Sequence, residues 1–103
     1  MSEHAKSIDA AENLKLTDFR CRYLVVKPIW IPLAERFLLR TLRPVWNTVV
    51  DGFGNHDPGR GRTSMIRPRW DTLHPGREWA ASLRQQHGTE DILSAVRAHF
   101  EQA

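Results

Sequence analysis

Only one stretch of this chain, Asp18 to Lys27 (DFRCRYLVVK), has the aromatic and β-branched composition of a strand. Phe19, Cys21, Tyr23 and Val25 would share one face, and Arg20, Arg22, Leu24 and Val26 the other. Tyr23, the sole tyrosine, is then expected in the core. A single strand cannot satisfy its own backbone, and even a lone hairpin is marginal in water. VWNTVV, starting at Val45, offers at most a brief second extended segment. The expectation is an α+β fold with one clear strand packed against helices. That strand would pair with another chain, or the rest of its sheet is missing, so the domain reads as incomplete.

The segment after the strand, IPLAERFLLRTLRPVWN (Ile31 to Asn47), predicts a helix with Pro32 tolerated at its first position and Pro44 ending it. At about 100° per residue, Ile31, Leu38, Leu39 and Leu42 fall within roughly 60° of Glu35. Glu35 thus stands in an apolar stripe, where an ionised carboxylate is costly unless a cation meets it. One answer is a pair with a nearby arginine, Arg22 or Arg36. Another is Mg²⁺, which takes one or two carboxylates and several waters. Asn47, just past the helix stop, is a turn cap or a polar site residue. Trp30 and Trp46 read as core anchors.

Elsewhere the pattern divides the chain in three. Residues 1–50 hold a short helix from about His4 to Leu14, with Ile8, Ala11 and Leu14 on one side, then the strand and the helix just described. Residues 51–77 are dense in Gly, Pro and Asp and read as a long loop with little regular structure. Residues 78–103 predict a helical hairpin, Glu78–Gln86 and Glu90–Phe100, with Gly88 ending the first helix and Thr89 capping the second. Ile92, Leu93, Val96 and Phe100 mark its buried stripe. HDPGR and LHPGR look alike, but two short matches are not a structural repeat.

Composition narrows the function classes. The chain of 103 residues carries a single cysteine, which excludes an internal disulfide and a four-cysteine zinc site. It has no long apolar run, and its start, MSEHAKSIDAAEN, is too polar for a signal peptide, so a cytoplasmic or other reducing compartment is expected. His56, His74, His87 and His99 lack zinc-ligand spacing. Twelve of the fifteen basic residues are arginine, a bias shared by nucleic-acid binders and by proteins of GC-rich genomes. Placement favours DNA: Arg60, Arg62, Arg67 and Arg69 lie within ten residues that contain no acid. Clustered arginines on a glycine-containing loop can hold phosphates or read guanine edges, although a solvated basic loop has the same look.

Taken together, DFRCRYLVVKPIWIPLAERFLLRTLRPVWN resembles the second half of the GIY-YIG nuclease module, in particular the type II restriction endonucleases that cut CCGCGG. The matching elements are a strand ending before a Trp-containing helix, a Glu in that helix, and the PVWN segment after it. GFGNHDPGRGR and WDTLHPGREWA resemble the C-terminal region of that family, so the likeness runs from about His4 to the end. The resemblance implies a Mg²⁺-dependent, homodimeric hydrolase of double-stranded DNA. It implies that Glu35 binds the metal, that Asn47 is an active-site asparagine, and that His4 is the catalytic-region histidine. The two tyrosines and the arginine that the family carries in its GIY and YIG strands have no match here, which implies a C-terminal half, inactive alone or one part of a split enzyme. Two readings of other classes stand beside it: a DNA-binding remnant without catalysis, and an interaction domain whose exposed strand pairs with a partner.

Overall fold

A computed structural model describes residues 2–59 and 65–102. Helix α1 (Ser2–Ala10) is followed by two 3₁₀ turns, Leu16–Asp18 and Pro28–Trp30. Then come α2 (Ile31–Leu42), α3 (Val45–Thr48), α4 (Arg69–Leu73), α5 (Glu78–Ala81) and α6 (Thr89–Glu101). The described residues contain no β-strand, and their only β-type contact is an isolated bridge between Ile66 and Arg84. This overturns the α+β expectation. Residues 19–27 are irregular, with Tyr23, Leu24 and Val25 exposed, and Tyr23 is 85% accessible where the pattern placed it in the core. Strand composition supplies side chains that suit a sheet. It does not supply the neighbour whose backbone groups would complete one.

The core forms around Trp70, which is fully buried, with Ala11, Val50 and Ile92. Leu14, Val45, Trp46, Val49, Phe53, Leu73 and Val96 pack on it. It therefore draws on the end of α1, on α3 and the residues after it, and on α4 and α6. Ile8, Ala11 and Ile92 are buried as the periodicity predicted, while Phe100 is exposed. VWNT winds into one turn of helix instead of extending, because Pro44 serves as its N-cap residue and Val49 closes back on the Val45 carbonyl. The first arm of the expected hairpin is a single turn, α5. Gly88, not Thr89, is the N-cap residue of α6, and no side chain caps it.

α4 lies inside the Gly- and Pro-rich stretch, bounded by Pro68 as its N-cap residue and His74 at its C-terminus. It presents Asp71 to Arg77, and both are buried. The Arg77 guanidinium donates to both carboxylate oxygens of Asp71 at 2.6 Å, to the carbonyls of Gly52, Phe53 and Asn55 at 2.8, 3.0 and 3.1 Å, and to Ser7 Oγ at 3.3 Å. It lies 4.6 Å from the centroid of Trp70 and 4.8 Å from that of Trp79. Gly76, at φ +151°, lets this segment run against the end of α1, where any Cβ would collide with the Ala10 carbonyl. There the Glu12 amide donates to Pro75 at 2.7 Å.

His74 couples this core to pH. Its Nδ1 lies 2.9 Å from Asn13 Oδ1, and Asn13 Nδ2 donates to the Leu73 carbonyl at 2.7 Å, which fixes the amide and makes Nδ1 the protonated nitrogen. Burial lowers the His74 pKa below its ordinary 6.5, with the Asp71 charge opposing in part. The unfolded chain then binds more protons than the folded one just below pH 6.5, so stability rises with pH there. Stability is expected to be flat above pH 6.5 with respect to this group and to fall as pH drops below it, down to the lowered folded pKa. Urea midpoints across that range should show the slope in the native chain and a shallower one in His74→Gln.

α2 has a different relation to the core. It starts with Pro32 in its first turn and ends where Arg43 adopts φ +46°, its amide donating to the Leu39 carbonyl at 3.0 Å before Pro44. None of its residues is buried. Ile31, Leu33, Phe37, Leu38 and Leu42 are exposed, as are Ile29 and Trp30 just before them. Glu35 is likewise exposed, which corrects the expectation of a carboxylate enclosed by an apolar stripe. The stripe is real in spacing, but the core is built around Trp70; Leu39 is half-buried and Leu24 and Val26 line a groove beside Ile31 and Leu38, and the rest of the stripe is exposed. Trp30 is 54% accessible and is not a core anchor; Trp46 packs on the core as expected.

Candidate functional site

Three separate helices converge on one cleft of about 720 Å³. α1 brings His4, α2 brings Glu35 and α3 brings Asn47, and the far wall is the loop from Asp51 to Asn55. His4 reaches the wall by stacking on Phe53, with centroids 4.6 Å apart and planes 20° from parallel. Phe53 in turn packs on Trp46 at 4.7 Å and on Trp70 at 5.2 Å, so the histidine rests on the core through one ring. Asn47 is set by the Pro44 stop: its amide donates to the Pro44 carbonyl at 3.0 Å as α3 begins.

The far wall is held from behind. Arg77 grips the carbonyls of Gly52, Phe53 and Asn55, and the same nitrogen that holds two of them also reaches Ser7 on α1. Gly52, at φ +106°, packs its backbone directly on Pro68, where a Cβ would not fit. Asp51 stands on the rim and accepts from Arg69 at 3.3 Å.

Glu35 and Asn47 also line a second, adjoining groove of about 650 Å³, with Arg36, Arg40, Arg43 and Thr48. A third, apolar groove lies on the other side of Glu35, lined by Leu24, Val26, Ile31 and Leu38. Glu35 is thus the ridge between a polar cleft, a basic groove and an apolar one. Among the described residues no arginine or lysine pairs with it.

Of the four loop arginines singled out from the sequence, Arg60 and Arg62 lie outside the described residues. Arg67 donates to the carbonyls of Ala80, Ala81 and Leu83 at 3.1, 2.9 and 3.0 Å and to Gln85 at 3.4 Å, closing the C-terminal end of α5. Arg69 reaches the cleft only through Asp51. Three features were missed: the Asp51 rim, the Asp71–Arg77 unit behind the wall, and the arginine face of α2. Only the last had a readable signal, since Arg36 and Arg40 are four residues apart on a helix and Arg43 follows three later.

Comparison with curated proteins found no match. Comparison with protein families found the Eco29kI GIY-YIG domain, whose model matches residues 1–100. That match spans α1, the glutamate of α2, the asparagine of α3 and the core that holds the cleft wall; the chain belongs to the Eco29kI GIY-YIG domain family of restriction endonucleases.

Proposed function

We propose that this chain supplies the metal-binding part of a type II restriction endonuclease that hydrolyses phosphodiesters in double-stranded DNA with Mg²⁺. The observation that carries this reading is the meeting of His4, Glu35 and Asn47, from three helices, on one cleft. An exposed carboxylate beside an amide, in a cleft with room for water, suits an ion that keeps most of its hydration shell. Among the described residues no group of three His, Cys, Asp or Glu side chains draws together, so water would complete such a shell. When bound, Mg²⁺ would polarise the phosphate and neutralise charge developing on it. Glu35 holds the ion. Asn47 can donate through its amide nitrogen and accept through its oxygen, so it can hold a water and a phosphate oxygen together. His4, steadied on Phe53, offers a ring nitrogen to the attacking water or the phosphate.

The exposed apolar face of Leu33 and Phe37, one turn apart on α2, with Ile29 and Trp30 exposed just before the helix, favours a refinement of this reading. In this refinement the chain corresponds to the C-terminal half of the enzyme, and the tyrosine- and arginine-bearing GIY and YIG segments of the family cover this face. Specificity for CCGCGG and a homodimeric active form are parts of the same proposal. The test is cleavage of a plasmid bearing CCGCGG sites with Mg²⁺ or EDTA, by the chain alone and mixed with an upstream half from the family. Discrete Mg²⁺-dependent fragments in the mixture support the split reading, and fragments from the chain alone support catalysis without it. A folded sample inactive in both would leave a DNA-binding remnant, with salt-sensitive binding indifferent to Mg²⁺ and to Glu35.

A further inference from the structure

We propose that Arg36, Arg40 and Arg43 form a phosphate-binding ridge that carries one strand of duplex DNA along α2 towards Glu35 and Asn47. The inference rests on the nuclease reading above and gives its substrate a path. The three arginines line one groove, and the same groove is lined by Glu35 and Asn47 at its junction with the cleft. On the helix, positions 36 and 40 lie about 40° apart and share a face; Arg43, just past the helix end, joins them in lining the same groove. From Arg36 to Arg43 the helix rises about 10 Å, the axial length of about three phosphates on one strand.

The cations on this face are also available. Among the described residues no acid pairs with Arg36, Arg40 or Arg43, whereas Arg77 is consumed by Asp71 and the loop carbonyls and Arg67 by the carbonyls at the end of α5; Arg69 makes a single exposed contact with Asp51. An arginine whose five donors are already spent on its own fold has little left for a phosphate. The end of the ridge is held in place from the core: His99 on α6 donates Nε2–H to the Arg43 carbonyl at 3.0 Å. Arg43 keeps its place at φ +46°, a left-handed conformation that glycine adopts more readily than arginine. Glu35 is the one acid lining the groove. Its charge repels a phosphate until a cation covers it, which places the ridge's work upstream of the metal.

The experiment is anisotropy titration of a labelled 20-base-pair B-form duplex lacking CCGCGG, in EDTA, across a series of salt concentrations. Each arginine that meets a phosphate contributes about 0.9 to the slope of log K against log salt. The R36Q/R40Q/R43Q chain should therefore lose about 2.7 of that slope and bind roughly 10²- to 10³-fold more weakly at low salt. R43G serves as the folding control. Glycine suits the left-handed position, so this variant should melt no lower than the native chain and still lose about 0.9 of slope. A triple variant with unchanged slope, or an R43G chain that binds like the native one, overturns the ridge. The outcome is separable from the nuclease reading. An unchanged slope in an enzyme that cleaves with Mg²⁺ removes the ridge alone, and a lost slope in a chain that never cleaves in any assembly removes the nuclease reading alone. A native chain with no salt-dependent binding removes the ridge, and the nuclease reading then stands or falls on cleavage in the mixture with the upstream half.

Discussion

Arg77→Ala is expected to lose about 3–5 kcal/mol of folding stability, as for other buried pairs broken from one side, and to lower the melting temperature by on the order of 15 °C or more. The chain is small, and domains of this size are stable by only about 5–15 kcal/mol, so much of the sample would be unfolded near body temperature. The cause is what the truncation leaves behind. Asp71 would remain buried as an unpaired carboxylate, and the carbonyls of Gly52, Phe53 and Asn55 would lose their donor. A buried ion pair by itself is weak evidence for stability, because an apolar pair of similar volume often serves as well. Here the carbonyls decide the matter. Replacing Asp71 and Arg77 together with leucine and methionine removes the stranded charge yet still leaves three acceptors without a partner, so the double variant should recover only part of the loss. Arg77→Lys should also fail, since an ammonium cannot make the planar, two-pronged contact with Asp71 while reaching the loop. Urea denaturation of the four chains checks this. A double variant as stable as the native protein would show that the carbonyls find other donors.

Glu35→Ala should have the opposite profile, with cleavage lost and folding untouched. The residue is exposed on a helix that buries none of its side chains, and Ala is the best helix former, so stability should move by no more than about 0.5 kcal/mol. Removing the carboxylate removes the proposed hold on Mg²⁺, and groups that stabilise charge in the transition state are typically worth about 10²–10³-fold or more each. Metal-dependent cleavage should fall at least that far in any assembly that contains this chain. The measurement is Mg²⁺-dependent cleavage beside a thermal melt. Undiminished activity with an unchanged melt would take Glu35 out of the mechanism, and a lowered melt would show that its exposure has been misjudged.

The elements that could be read from the residues are those whose signals are local. The limits of α2 follow from Pro32 and Pro44, and the buried positions Ile8, Ala11 and Ile92 follow from helical spacing. The strand failed because a strand is a relation between segments, and DFRCRYLVVK has no neighbour among the described residues to complete it. Glu35 was expected inside because spacing reports which side chains could share a buried face, not whether anything covers that face. The centre of the core was hidden for the converse reason. Trp70, Asp71 and Arg77 lie in a stretch whose prolines and glycines suppress every periodic signal, and residues six apart across a helix end share no helical face. That His4, Glu35 and Asn47 line one cleft could not be read from spacing, since they lie on three helices that only folding brings together; the family likeness alone singled them out.

The two walls of the cleft are anchored unequally, and solvent protons should report it. The Gly52–Asn55 wall is tied to a buried arginine and to Trp70, whereas α2 contributes nothing buried. Opening α2 would expose little apolar surface beyond what already faces water, so its amides should exchange with deuterium through a cheap local opening. The core amide of Trp70, bonded to the Asp51 carbonyl at 2.9 Å, should exchange only when the whole chain unfolds. The side of the cleft that carries Glu35 is then its soft side, and whatever covers the apolar face of α2, or binds at Glu35, would be seen first as slowed exchange along that helix.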